Sequence, residues 1–549
     1  MTAVVLCGAG ALAGAAERAY LHAAQEDMAW WTEARFGLFV HWGPVSLKGT
    51  EIGWSRGGER RGTGGSGPIP AEEYDRLYES FNPVEFDADE WVAIAQAAGM
   101  KYIVFTTKHH DGFCMFDTAL SEYKITNSPF GRDVVAELAE ACHKAGMRLG
   151  FYYSPPDWHH PDYRTERHAQ YVAYLHGQLR ELCTNYGQVD VIWFDGLAGT
   201  AADWDSDDLF KMIRELQPGV LINNRAGLKA DFDTPEQRVG AFQNDRPWES
   251  CITICRQWAW KPDDTMKSLE ECLHTLIRCA GGDGNLLFNV GPMPSGAIEP
   301  RQVERLKEMG AWLEQYGGTI YGTRGGPYRP CDWCASTCTG NVAYLHLLAP
   351  AGNEVVLPGL GARVVSSRLL TGGEVEVSQA EDGLTLSLAP ALPHAIDTIV
   401  ELTLDRPAGE VAPVFVSASL TAGKPATASN VYQGMKEYTA DKAVDGNSAS
   451  RWATDGGTYA AWLAIDLGKE VTFDRMTIDE ACGTRVESYE LQRRGDDGGW
   501  ETVLTGGRIG PAFSREFEPI TAREVRLNIL KASEGPTLNE FDLYPVRGK

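Results

Sequence analysis

Six short apolar runs between Phe36 and Val290 each hand over to polar or ionisable residues. His41 follows FGLFV, Lys108-His109-His110-Asp111 follow KYIVFTT, and Tyr152-Tyr153 close GFYY. Asp195 follows VIWF, Asn224-Arg225 follow VLIN, and Asn289 lies in LLFNV. A single residue of this kind usually caps a turn. Six of them in the same place after six runs point to one shared site. Asp195, in VDVIWFDG, is the clearest, because an aspartate is disfavoured in a strand and costly to bury unpaired.

Two chemistries suit these residue types. Hydrolysis of a glycosidic bond needs two carboxyl groups flanking it, about 5–5.5 Å apart when configuration is retained. Asp195 would be the first, and the second must come from downstream: Glu236 in DFDTPEQ or Glu249 in RPWES. The run Thr234-Pro235-Glu236-Gln237 also spells a helix start, with Thr as cap and Pro at the first position. No periodic apolar stretch follows it, so spacing leaves cap, Glu236 and Glu249 all open. A metal-dependent hydrolase is the other option. His109 and His110 point to opposite faces if they lie on a strand, and both reach a common centre only if they lie past its end. His159 and His160 in DWHHPD add imidazoles, which we read as surface residues, and no HExxH-type spacing occurs.

The elements that must position these groups form a repeating pattern. FGLFVHW, KYIVFTT, MRLGFYYS, VDVIWFD, GVLINN and NLLFNVG read as strands, and DADEWVAIAQAAG, GRDVVAELAEACHKAG and DSDDLFKMIRELQPG between them read as amphipathic helices ending near Gly. Alternating β and α units imply a parallel sheet, and a stretch this long suits a (β/α)8 barrel, with the site at the carboxyl ends of its strands. A doubly wound sheet would want a phosphate-binding glycine loop after the first strand. FGLFVHWGPVS is not one, and GGERRGTGGSGPIP lacks the Lys-Ser/Thr of such a loop. Beyond Tyr321 the period changes to two, as in NVAYLHLLAP and IDTIVELTL, which implies a small antiparallel β-sandwich. RPAGEVAP reads as a linker before a last all-β stretch.

With 549 residues, the chain needs two or three cores. A formal charge of −25 argues against nucleic acid and anionic lipid as partners and favours a neutral substrate. The 12 Cys are scattered, and the cluster CDWCASTC lacks the second half of a zinc site. The N-terminal run MTAVVLCGAGALAGAAERA has the small residues of an export signal without its basic start. No segment reads as a membrane span.

Several long motifs in order, WWTEARFGLFVHWG, KYIVFTTKHHDGFCMF, GFYYSPPDW, VIWFDG and GNLLFNVGPMPSG…WLEQYGGTIYGTR, resemble the α-L-fucosidases of glycoside hydrolase family 29 over about Met28 to Tyr328. The resemblance implies a barrel followed by a β-sandwich, and hydrolysis of α-L-fucosides with retention. It implies Asp195 as nucleophile and Glu236 as general acid/base, with Glu249 in reserve. It also implies a fucose pocket of His41, His109, His110, Tyr152, Trp193 and Arg225, with Trp258 as an aromatic wall towards the sugar's methyl group. Many members carry Glu-Trp after the first strand. Here the order is Glu51-Ile52-Gly53-Trp54, which keeps Trp54 as a contact and removes the neighbouring Glu.

AVDG…RW, IDLG and NEFDLY resemble discoidin-type modules (the factor V/VIII C-domain group, overlapping carbohydrate-binding module family 32) over about Val416 to Val546. Such modules imply a β-sandwich and a structural calcium, for which Asp445, Ser450 and Glu540 match. The expected organisation is an export-signal remnant at 1–20, the catalytic barrel at 28–325, a β-sandwich at 326–406 and the discoidin-like module at 415–549. The expected protein is an exported, periplasmic or extracellular, retaining exo-α-L-fucosidase with no catalytic cofactor. Its partners would be fucosylated glycans, with no nucleic acid and no membrane span. A lectin on an inactive barrel is the competing reading, opposed by the presence of both carboxylates.

Overall fold

The computed structural model describes residues 19–549, except 198, 241, 349–352, 381–382, 390–395, 417–418, 447–449, 496 and 547–549. Most of the leader-like run therefore lies outside the described residues. The chain divides into two compact units. The first comprises Met1–Gly326, Ser336–Leu348 and His394–Glu410, and the second Pro327–Ala335, Ala349–Pro393 and Val411–Lys549.

The first unit is built on seven parallel strands: β1 (Phe36–Val40), β2 (Tyr102–Lys108), β3 (Arg148–Tyr153), β4 (Val191–Phe194), β5 (Leu221–Ile222), β6 (Glu249–Thr253) and β7 (Asn285–Val290). They lie in the order β5-β4-β3-β2-β1-β7-β6. Nearly every strand residue is buried, as expected of a sheet covered on both faces. Residues 232–236 span the gap between β5 and β6 through isolated parallel bridges, Asn223 to Phe232, Asp233 to Trp248 and Glu236 to Cys251. This irregular stave completes a ring of eight.

The helices form where their capping residues allow. Asp87 and Asp133 accept from the backbone N–H three residues on and open Ala88–Ala97 and Val134–Ala145. Gly146, at φ 66°, closes the second in the left-handed conformation. Ser268 and Glu271 form a reciprocal capping box at the start of Leu269–Gly281. By contrast, Thr234-Pro235-Glu236-Gln237 starts no helix. Gln237 takes φ 53°, and Glu236 bridges to β6. Strand β6, ESCIT, escapes the sequence reading because it opens on Glu-Ser and has no apolar run.

In the same unit, Val342–Leu347 pairs antiparallel with Thr398–Leu404. The second unit holds the sheet of Glu354–Pro358, Gly383–Ala389 and Glu374–Gln379, and a C-terminal antiparallel sheet. The latter's two 20-residue strands, Ala461–Glu480 and Phe513–Ala532, pair along most of their length, with register shifts at Asp466/Val471 and Phe473/Arg475 that bend them. Trp452, Leu463, Phe473, Met476, Leu527 and Phe541 fill its core.

Candidate active site

The carboxyl ends of the barrel strands surround a pocket that opens to solvent on one side. Every residue that the resemblance assigns to catalysis or to the fucose pocket lines it, except the reserve Glu249; Lys108, Asp111, Tyr153, Asn224 and Asn289, which also follow the apolar runs, do not. Asp195 follows β4 directly, so the strand aims its carboxylate into the pocket. Tyr152, on β3, donates its hydroxyl to Oδ2 at 2.9 Å, and Arg225 Nη1 meets Oδ1 at 3.2 Å. His110 Nε2 lies 3.4 Å from Oδ2. Burial by itself would lift the Asp195 carboxyl. The neighbouring His110, with Arg225 and His109, outweighs it and holds the group well below the usual carboxylate range.

Arg225 is itself fixed. Its Nε donates to Thr234 Oγ1 and its Nη2 to the Thr234 carbonyl, both at 2.8 Å, and its guanidinium lies 4.8 Å from the Trp193 ring centroid. Nη1 also donates to Glu236 Oε2 at 2.7 Å. One nitrogen thus bridges Asp195 and Glu236, so those two oxygens are held within about 6 Å of each other. Glu236 is 43% exposed at the pocket rim, whereas Asp195 is 14% exposed.

The floor is aromatic. Tyr152 stacks on Trp193 at 5.7 Å and 17°, and Phe39 packs against both. Beneath it lies Glu249, the first residue of β6, with no exposure. Its carboxyl accepts from Trp193 Nε1 at 3.1 Å and from the Tyr102 hydroxyl. Burial pushes that carboxyl up to about 7, against these hydrogen bonds. Glu249 therefore supports the floor from inside the barrel and does not face the pocket, which leaves Glu236 as the carboxyl partner of Asp195 there.

The imidazoles line the opposite side. His41, after β1, holds Asn289 Oδ1 through Nδ1 at 2.7 Å, and burial lowers it to about 4, so it is neutral. Asn289 Nδ2 donates to the Trp258 carbonyl at 2.8 Å. His109 and His110 lie just past β2, which lets both adjacent rings enter the pocket, their centroids 4.1 Å apart. Burial, with His110 and His41 nearby, holds His109 well below its ordinary value. His159 and His160 stay out of the pocket: His159 stacks on Tyr123 and His160 packs against Tyr174.

Trp54 forms the rim, 37% exposed, edge-on to His110 and Trp158. The residue before it must be glycine. Gly53 has φ +64°, and a Cβ there would sit 2.5 Å from His109 Nδ1. Gly53→Ala is expected to displace His109 at a cost of about 1–3 kcal/mol. It would lower kcat/KM at least about tenfold. Steady-state kinetics beside a melting curve would read it, and unchanged kcat/KM would refute the close fit. Glu51, the Glu nearest to Trp54 in sequence, does not line the pocket. Its carboxylate accepts from the Trp258 and Ala259 amides at 3.0 and 3.1 Å and so braces the Trp258 wall. The sequence reading missed this role, as well as that of Ser154, which holds His110 Nδ1 at 2.6 Å. Ser154 lies inside the motif GFYYSPPDW, directly after Tyr152-Tyr153.

Among the described residues, His109, His110 and Asp195 also form the one group whose ligand atoms cluster within 4.8 Å, as a metal would require. Arg225 already places a fixed cation on Asp195, so this carboxylate has its positive partner from the protein. In the second unit, Ser450 Oγ donates to the Asp445 carboxylate, 2.7 and 2.8 Å from its two oxygens, and Lys442 Nζ is 3.6 Å from the same group. Glu540 lies on Thr537–Pro545, opposite Asp479.

Comparison with known proteins matches residues 16–318 to the α-L-fucosidase family and residues 425–541 to the F5/8 type C domain. The plasma α-L-fucosidase of Homo sapiens is 31% identical over 336 residues, 55% of this chain and 70% of that protein. That of Rattus norvegicus is 29% identical over 408 residues, covering 68% and 87%. Among solved structures, α-L-fucosidase isoenzyme 1 from Paenibacillus thiaminolyticus superposes with a TM-score of 0.64 at 38% identity, over 69% of this chain and 99% of that one. A family 29 α-L-fucosidase from Bacteroides thetaiotaomicron, trapped as a covalent intermediate with 2-fluoro-fucosyl fluoride, superposes at 0.62 and 26% identity, over 69% and 96%.

Proposed function

Since the chain belongs to the α-L-fucosidase family, glycoside hydrolase family 29, and is a fucose-releasing glycosidase, we propose that it is a retaining exo-enzyme that removes terminal L-fucose from fucosylated glycans by double displacement. The observation that carries the mechanism is the shared guanidinium nitrogen of Arg225, which keeps the Asp195 and Glu236 oxygens within about 6 Å. That limit includes the ~5–5.5 Å spacing of retaining pairs and falls short of most inverting ones. The covalent intermediate trapped in the Bacteroides relative supports the same course.

Asp195, held ionised, attacks the anomeric carbon while Glu236, at the rim, protonates the departing oxygen. Glu236 then takes a proton from water, which attacks the same carbon and releases Asp195. His41, His109, His110 and Tyr152 offer the polar contacts that orient sugar hydroxyls, and Trp258, Trp193 and Phe39 supply apolar surface for the methyl group. A pocket closed below by aromatic rings and open on one side suits a terminal sugar, hence the exo reading. The test is proton NMR of turnover on an aryl α-L-fucoside: α-fucose must appear first, and initial β-fucose would overturn retention.

The F5/8 type C domain completes the proposal as a glycan-holding module that raises the local substrate concentration. Its Asp445, Ser450 and Glu540 are hard oxygen donors of the kind calcium takes, and Asp445 and Ser450 are already gathered. Saturating calcium is expected to stabilise this module by about 2–3 kcal/mol. Scanning calorimetry with calcium and with a chelator would show it; a wild-type transition that does not move, or one that moves equally in Asp445→Asn, would remove the ion from this site. No helix among the described residues is long and apolar enough to cross a membrane. Export is the location we propose.

A further inference from the structure

Ser154 fixes a hydrogen count that decides the charge on His110. Ser154 Oγ lies 2.6 Å from the Pro156 carbonyl and 2.6 Å from His110 Nδ1. Each contact needs a hydrogen between its two atoms. The Pro156 carbonyl has none to give, so the one hydroxyl hydrogen of Ser154 is spent there. The second hydrogen must then be on His110 Nδ1. That leaves Nε2 facing Asp195 Oδ2 at 3.4 Å. A bare Nε2 would set its lone pair against a carboxylate. A protonated Nε2 would make an ion pair.

We propose that His110 acts as an imidazolium paired with Asp195, held in that state by Ser154, a positioning residue whose only hydrogen is committed to Pro156. The proposal rests on Asp195 being the nucleophile. The charges around the group agree with it. Asp195 meets Arg225 at Oδ1 and His110 at Oδ2, so each oxygen of the carboxylate has one nitrogen partner in a largely buried site. His41 and His109, the other imidazoles in contact, are kept neutral by burial. Behind Ser154, Lys108 Nζ is paired with Asp157 at 3.4 Å and donates to the Ser154 carbonyl, so that cation has its own counter-charge. Tyr152, the remaining titratable contact, stays a phenol and donates to the same carboxylate.

The imidazolium has a distinct effect on each half of the reaction. In the first, Asp195 gives up its negative charge as the C–O ester bond forms and the aglycone bond breaks. In the second, water replaces Asp195, and the carboxylate departs with its charge restored beside His110 and Arg225. A cation there makes Asp195 a better leaving group, so neutralising His110 slows the second half.

The full chain, labelled with 15N in histidine, provides the direct test, with His110→Gln used to assign its signals. At the pH of greatest turnover, both ring nitrogens of His110 must carry hydrogens; one bare nitrogen at that pH overturns the proposal. Kinetics give an independent arm. In a Glu236→Ala background, with azide as acceptor and a dinitrophenyl α-L-fucoside, the general acid no longer shapes the pH profile. Turnover is then expected to fall about tenfold or more as His110 loses its proton. Adding Ser154→Ala lets the neutral ring place its hydrogen on Nε2, towards Asp195, and the fall should shrink below about threefold. No fall, or one that Ser154→Ala leaves intact, overturns the proposal. If Ser154→Ala does not fold, Ser154→Thr keeps the hydroxyl and must keep the fall. Should Asp195→Gly remain active, the nucleophile reading is lost, and the NMR result still reports the state of His110.

Discussion

Asp195→Gly should lose α-L-fucoside turnover by about 10⁴-fold or more, the scale seen when a group that forms a covalent intermediate is removed. Added azide should restore aryl fucoside consumption and yield β-fucosyl azide, because the glycine leaves room for a small anion beneath the anomeric carbon. The geometry makes the loss large. Tyr152, His110 and Arg225 all converge on this one carboxylate. Stability should fall, since removing the carboxylate leaves Arg225 and His110 without one of their partners in a largely buried site. A variant that retains turnover within tenfold of wild type, or azide that rescues nothing while the fold is intact, would displace Asp195 as nucleophile.

The particular residues show what the sequence could and could not disclose. Asp195, His41 and Tyr152 were legible because a parallel strand buried on both faces must be apolar until it ends, so a polar residue at its end stands out. The irregular stave at 232–236 was not. It is held by isolated bridges to its neighbours, has no apolar period, and its Thr-Pro-Glu-Gln run carries the signals of a helix cap. Local propensity there yields to the requirement that the ring close between β5 and β6. Glu249 shows the reverse failure. From spacing it was as good a partner for Asp195 as Glu236, yet at the first position of β6 it faces the barrel interior below Trp193. Only register separates the two. Ser154 and Glu51 were hidden for another reason: each acts on a residue distant in sequence, and pattern along one chain does not record such pairs.

Glu236→Ala tests the other half of that choice. Natural glycans, whose leaving oxygens need a proton, should lose about 10²–10⁴-fold in kcat/KM. A dinitrophenyl fucoside, with a leaving group that needs none, should retain a much larger share in its first step. Azide should then accelerate the variant, since an anionic nucleophile needs no base, and the product should be the α-fucosyl azide, the opposite anomer from the Asp195→Gly rescue. In the structure Glu236 is tied to Arg225, so it must turn from the guanidinium to reach the leaving oxygen. Its 43% exposure and its seat on an irregular stave allow that movement, where Asp195 on the end of β4 is fixed. Glu249→Gln is the control. Kept under the floor and still able to accept from Trp193, it should preserve the contrast between natural and activated substrates that wild type shows. If Glu249→Gln rather than Glu236→Ala separates the two substrates, the acid lies beneath the floor, and the pocket described here does not hold both carboxyl groups.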